Sequence, residues 1–240
     1  MALNNYVRKI DKVYADCDLA TTARVIAEPA RAAMLLRMMD GRDHTAADLA
    51  QAAGLTPSAA SAHLRHLVDS RLVVVTVTGR RRLHELASAE VAAAIEALAM
   101  VSPLLPVESL RQARSSSRLQ VARACYSHLG GSLAVAISTT LIADGVICGL
   151  SDRAFGAVHT MDHPLLHILG ITTIPPGSAP RVRACLDWTE RTPHLAGRLG
   201  SAIMAAMLDS GWLQRRPRDR AFTITGTGAG HLHRLGIWRL

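Results

Sequence analysis

Aromatic side chains are scarce: Phe, Tyr and Trp make up 3% of a chain that is 49% hydrophobic. Ala, Leu and Val must therefore fill the interior, a composition that suits helices better than β-sandwiches. Cysteine is equally thin. Cys17, Cys125, Cys148 and Cys185 are too few and too scattered for a secreted disulfide framework, and no CxxC pair occurs. The first twenty residues mix charges throughout and lack the unbroken apolar stretch of a signal peptide, so a reduced, cytoplasmic setting is expected. Nucleophile-elbow, phosphate-loop and HExxH patterns are also missing, and the expectation is that the protein is not an enzyme.

Arginine is plentiful. Of 27 cationic residues 25 are Arg, and the net charge is +8. Such a balance suggests a polyanionic partner. Residues 1–102 hold 12 Lys/Arg against 11 Asp/Glu and residues 103–240 hold 15 against 8, so the excess is +1 in the first part and +7 in the second. The 240-residue length favours two domains over one. The most apolar run, residues 128–150, carries Asp144 as its single formal charge and is long enough to raise the question of a membrane span.

From Thr45 the chain reads TAADLAQAAGLTPSAASAHLRHLVDSRLVVV. An alanine-rich helix is predicted over Thr45 to Ala53, stopped by Gly54, which takes the positive φ of a helix end without strain. Thr56 can cap a second helix with Pro57 at its first position. That helix turns Ala60, Leu64 and Leu67 inward and leaves Ser58, Ala59, Ser61, His63 and Arg65 on its other faces. Two short helices joined at a glycine form a helix-turn-helix whose second member suits the major groove. The stretch LVVVTVTGRRRLHEL follows, two β-rich runs flanking a cationic tip, and reads as a wing for phosphate or minor-groove contact. The alternative is a solvated loop.

With AEPARAAMLLRMMDG upstream, this stretch resembles the winged helix of ArsR/SmtB-type repressors over about residues 17–100. The most specific matches are Glu28-Pro29-Ala30-Arg31, Asp48-Leu49-Ala50, Ser61-x-His63-Leu64 and the Gly-Arg-Arg-Arg wing. The resemblance implies a homodimer that binds inverted repeats in double-stranded DNA and releases them when an effector binds. It carries DNA contact to Ser58, Ala59, Ser61, His63 and Arg65 and to the wing residues Arg80, Arg81 and Arg82. Two metal sites familiar in the family are missing. A cysteine pair before the turn is replaced by Thr45 and Ala47, and the helix after the wing, SAEVAAAIEALAMV, contains no His.

An internal repeat occupies the remainder. At an offset of sixty-six residues, HLGGSLAVAISTTLIADGVI (128–147) lies over HLAGRLGSAIMAAMLDSGWL (194–213), and both copies end in Leu-Gly-Ile. The copies span residues 122–171 and 182–237. Each reads as a helix ending at Gly145 or Gly211, a hairpin and a short helix, again the outline of a winged-helix half. Because the second copy carries Arg198 and Asp209 inside the matching run, residues 128–150 are expected to form a buried helix and first hairpin strand, with no membrane contact. The fold class is thus mainly α with short β-hairpins: a winged helix-turn-helix in residues 1–102, then a duplicated winged-helix-like region in residues 103–240 that senses an effector and supports the dimer. The second copy's tip holds Arg215, Arg216, Arg218 and Arg220, and the first copy's holds Arg153. The four arginines read either as a solvated loop or as an auxiliary DNA contact.

Each copy is preceded by Arg-Ala-Cys. Cys125 and His128 stand three apart, which on a helix places both on one face; with Cys185 and His194 they make a Cys2His2 set able to take a thiophilic metal ion in four-coordinate geometry. A thiol switch is the second alternative. Buried packing, or the lining of an organic-ligand pocket, is the commoner outcome for such residues, so no cofactor is expected, and the effector stays open among a small molecule, a redox signal and a metal. Trp188, with Asp187 and Glu190, is placed either as a core anchor or facing a pocket between the copies. His159, His163 and His167 are spaced four apart, but Pro164 makes Asp162 or His163 a helix cap and leaves His159 outside.

The function expected is a DNA-binding transcriptional regulator. Its competitors are a winged-helix scaffold that binds protein, and a Cys/His enzyme tethered by a helix-turn-helix.

Overall fold

The computed structural model describes residues 17–103, 106, 108–150 and 155–238. The reading of the first sixteen residues and the tip residue Arg153 lie outside them. Leu19–Ile26 (α1) and Pro29–Met38 (α2) lead into a short strand, His44–Thr45 (β1), and then Ala46–Ala53 (α3) and Pro57–Asp69 (α4). Val73–Thr78 (β2) and Arg81–Leu86 (β3) pair antiparallel, with β1 added on the outer side of β3. Ala89–Val101 (α5) closes this part.

The local signals operate as expected. The Thr45 side chain caps α3 in a reciprocal capping box with Asp48, and Gly54 ends the helix in the left-handed conformation at φ 67°. Thr56 accepts from the Ala59 N–H, and Pro57 occupies the first turn of α4. Ala60, Leu64 and Leu67 are buried on one stripe of α4, where they join Met34, Leu35, Met38, Leu49, Leu86 and Ile95 in the first hydrophobic core.

Leu110–Val121 (α6) leads to a second core that draws on residues from Ala122 to Ile237. Here Arg123–Cys125 (β4) and His128–Gly130 (β5) form a tight hairpin, followed by Ser132–Ala143 (α7), the pair of residues Phe155–Gly156 (β6) and Pro164–Ile168 (α8). Val182–Leu186 (β7) and Pro193–Ala196 (β8) form the matching hairpin, followed by Gly197–Asp209 (α9), the hairpin Leu213–Arg215 (β9) with Phe222–Ile224 (β10), and Gly226–Arg234 (α10). The registers of the two Arg-Ala-Cys strands correspond: Cys125 faces His128 and Cys185 faces His194. The packing is crossed, since α7 lies on β8 and α9 on β5.

The apolar run is divided. Its first residues are strand β5, Gly131 turns the chain at φ 94°, and α7 holds only twelve residues before Gly145, at φ 69°, ends it. A Cβ at Gly131 would stand 2.6 Å from the Gln120 carbonyl oxygen, so the bend admits only glycine. Among the described residues no helix is long and apolar enough to cross a membrane. Among the described residues, the segment after α7 makes a single isolated bridge, Ile147 with Val158, and β6 pairs with β7.

The two cores meet along a seam. The Tyr126 N–H donates to the Met39 carbonyl at 2.7 Å, and the Arg191 guanidinium donates to the Met100 carbonyl at 2.8 Å. Gly41, at φ 68°, lies so close to the Tyr126 carbonyl that a Cβ there would collide with it.

Candidate functional site

The exposed face of α4 carries Ser58, Ala59, Ser61 and Arg65. Ser61 donates its hydroxyl to the Pro57 carbonyl, and Ser58 shares a hydrogen bond with Thr56. His63 is drawn inward: its Nδ1 stands 3.1 Å from Glu28, the N-cap of α2, and only a quarter of the side chain remains exposed. The Arg31 N–H, with His63 nearby, holds the Glu28 carboxyl below its ordinary value. In the wing, Gly79 turns at φ 62° between β2 and β3, and Arg80, Arg81 and Arg82 are exposed. Among the described residues none of Arg65, Arg80, Arg81 and Arg82 has an ion-pair partner.

The four arginines of the second copy's tip do not behave as a set. Arg220 is buried, with its guanidinium 3.2 Å from Glu96 on α5 and 3.4 Å from the Ala124 carbonyl. Arg215 lies over the Phe222 ring, and Arg216 lies 3.4 Å from Asp219. Arg218 alone is fully turned out. Both readings of this tip, a solvated loop or an auxiliary DNA contact, are corrected for Arg220, because a buried carboxylate pulls it inward and leaves nothing for a phosphate to reach.

Cys125, His128, Cys185 and His194, by contrast, are brought together. Their four ligating atoms lie within 4.8 Å of one another, with Sγ to Sγ 3.7 Å and Nε2 to Nε2 3.1 Å. The means differs from the helical face read from the spacing. Cys125 and His128 are opposed across a two-residue β-turn, with Tyr126 at φ 57°, and β5 packs against β8 to face the two hairpins toward each other.

Asp187 stands behind the cluster, fully buried. Its Oδ2 accepts from the Gly131 N–H at 2.7 Å and lies 3.1 Å from His194 Nδ1, and its Oδ1 lies 2.9 Å from the Arg123 guanidinium. Burial opposes its ionisation, but His194 and Arg123 outweigh that and hold it well below the usual carboxylate range. Burial likewise disfavours a charged His194, yet Asp187 and the Cys125 sulfur raise it to about 9. Contact with Cys185, together with burial, pushes the Cys125 thiol up to about 12. Arg123, itself buried, stacks 4.8 Å from the Trp188 ring centroid. Trp188 thus packs on the cation that anchors Asp187.

A cavity of about 800 Å³ opens between α5 and the two hairpins. Met39, Ala92, Glu96 and Met100 line one side, and Cys125, His128 and Cys185 the other. Trp188, Asp187 and Glu190 do not line it. His163 is the N-cap of α8, with Nε2 3.0 Å from Asp144.

Sequence reasoning passed over Arg123 and Glu96 as site residues. Arg123 stood in the repeated Arg-Ala-Cys; Glu96, an acidic residue in the middle of an alanine-rich helix, was the other available signal.

The winged helix, with its bare cationic face, defines a DNA-binding protein of the helix-turn-helix class. Residues 26–76 match a family model described as a helix-turn-helix domain. The uncharacterized HTH-type transcriptional regulator YdfF of Bacillus subtilis (strain 168) is 36% identical over 213 residues, covering 88% of this chain and 93% of that protein. The chain belongs to the HTH-type transcriptional regulators. Among solved structures, the cadmium metal-sensor CMTR of Mycobacterium tuberculosis is similar at 34% identity, covering 38% of this chain and 94% of that one with a TM-score of 0.32. A homodimeric winged helix-turn-helix domain of Mb0332 from Mycobacterium bovis, a possible ArsR-family regulator, is similar at 23% identity, covering 37% of this chain and 89% of that one, also with a TM-score of 0.32.

Proposed function

We propose that the protein is a cytoplasmic, homodimeric repressor that grips inverted repeats in double-stranded DNA through α4 and the wing, and lets go when an effector is sensed in residues 103–240. The observation that carries this reading is the row of unpaired, exposed arginines, Arg65 and Arg80 to Arg82, beside the small polar face of α4. Guanidinium groups left without carboxylate partners are available to phosphates. Apolar side chains left in water on the outer helices support the dimer: Leu19 on α1 is 71% exposed and Val101 on α5 is 81% exposed. The cavity between α5 and the two hairpins supports effector sensing, since α5 belongs to the winged helix and the hairpins to the C-terminal region. The matching order of hairpin and helix in residues 122–171 and 182–237 supports a duplicated module.

The test is a gel shift of the full chain on fragments from its own promoter region, across a range of salt. Binding that weakens steeply with salt on one fragment, at two chains per site, supports the reading. No retarded band on any upstream fragment at low salt overturns it.

A further inference from the structure

Two imidazole Nε2 atoms 3.1 Å apart cannot face each other as two lone pairs, so the gap between His128 and His194 holds either a proton or a cation. The sulfur–sulfur and nitrogen–nitrogen separations around that gap match those of a tetrahedron, and all four atoms lie within 4.8 Å of one another. Zinc–sulfur bonds of about 2.3 Å at the tetrahedral angle put two sulfurs about 3.8 Å apart, and zinc–nitrogen bonds of about 2.0–2.1 Å put two nitrogens about 3.3 Å apart. Cys125 and Cys185 stand at 3.7 Å and the two histidines at 3.1 Å. A disulfide would need the sulfurs to close to about 2.05 Å.

The surroundings also suit a metal. A ligating histidine ordinarily turns its other ring nitrogen to a carboxylate, which fixes the ring and the tautomer. Asp187 occupies that place against His194 Nδ1 at 3.1 Å, and is itself fixed by the Gly131 N–H and by Arg123. His194 and Asp187 are fully buried, whereas Cys125, His128 and Cys185 border the cavity, which gives an ion a way in.

We propose that Cys125, His128, Cys185 and His194 form a tetrahedral binding site for a thiophilic divalent cation of the zinc type, joining the β4–β5 hairpin to the β7–β8 hairpin. Two thiolates with two imidazoles are the donor set that Zn(II) favours over harder cations. Such an ion ties residues sixty positions apart in the chain. Its presence is one residue from the seam, because Tyr126, next to Cys125, donates its N–H to the Met39 carbonyl at the end of α2. The binding site stands independently of the repressor reading; only an effect on DNA rests on it.

The experiment loads the reduced, chelator-stripped full chain with Co(II) as the spectroscopic probe. The expected result is one Co(II) per chain with tetrahedral d–d bands and a thiolate charge-transfer band, both lost when Zn(II) is added. Cys185→Ser, at a half-buried position that leaves the fold intact by circular dichroism, loses the charge-transfer intensity and at least tenfold in affinity, while Cys17→Ser and Cys148→Ser behave as the parent. Asp187→Asn keeps the bands but binds about 10–100-fold more weakly, as a positioning residue does. Absence of tetrahedral bands, or bands unchanged in both Cys125→Ser and Cys185→Ser, overturns the proposal. So does a reduced chain that takes no metal but joins Cys125 to Cys185 on mild oxidation. A parallel gel shift with and without Zn(II) separates the two readings: metal uptake with no DNA binding under either condition overturns the repressor and leaves the metal site standing.

Discussion

Glu96 on α5 and Arg220 in the β9–β10 loop meet at 3.2 Å, with each side chain less than a tenth exposed. The pair crosses the seam between the two hydrophobic cores. Removing one partner of a buried ion pair strands the other charge and costs about 3–5 kcal/mol. Arg220→Met and Glu96→Gln are each expected to destabilise the full chain on that scale in urea unfolding. The double variant should lose much less than the sum, and coupling below about 0.5 kcal/mol would show that the pair is not the link drawn above.

The wing makes a separate prediction about salt. If Arg80, Arg81 and Arg82 neutralise phosphates, changing all three to Ala lowers the slope of log affinity against log salt by about 0.9 per lost contact, or about 2–3 in total. Stability should barely change, because the three side chains are exposed and unpaired. An unaltered slope in a salt titration would remove the wing from the DNA interface.

Gly41→Ala tests the backbone seam. The position has φ 68° and its Cβ would collide with the Tyr126 carbonyl. Left-handed strain alone costs about 1–3 kcal/mol, and the collision adds to it. A thermal melt of the variant should show a clear drop, while Gly79→Ala in the open wing turn, where a Cβ meets nothing, pays only the strain.

Asp40 should impose an acid limit on stability. Buried at the end of α2, its carboxylate is met by Arg37, Arg42 and His44, with Arg215 nearby from the C-terminal region. Burial opposes its ionisation, but His44 and Arg37 outweigh it, and its folded value falls far below the unfolded value of about 3.9. A group depressed in the folded state contributes in full above its unfolded value, and the contribution fades as pH falls toward the folded one. The gap in unfolding free energy between parent and Asp40→Asn should be constant above about pH 5 and shrink steadily toward pH 3. A gap that holds its size in acid would mean that Asp40 does not titrate this way.

Val101→Asp tests the proposed dimer. A carboxylate placed in an apolar contact is costly to bury, so sedimentation equilibrium should find the variant more dissociated than the parent. An unchanged dissociation constant would move the interface elsewhere.

The helix-turn-helix was legible because its signals are local. Thr45, Gly54, Thr56 and Pro57 each act within four residues of their place, and Ala60, Leu64 and Leu67 repeat at helical spacing. The strands of the β4–β5 and β7–β8 hairpins were not, being three to five residues long and too short to display a period. Cys125 and His128 were grouped correctly for a reason that does not apply: a β-turn, rather than a helical face, opposes them. Arg220 looked like its three neighbours, and only Glu96, 124 positions away, distinguishes it.

By itself the sequence determined what caps, periodicity and a sequence repeat can carry: a winged helix with a basic wing, and two Cys/His pairs at matching places in that repeat. Tertiary structure alone decided that the two pairs converge, that Asp187 and Arg123 stand behind them, and that one arginine of four turns inward. The reason is physical. Capping and helical spacing are interactions of residues close along the chain, whereas a ligand set, a buried ion pair and a seam require hairpins about sixty residues apart to be folded against each other before any of their distances exists.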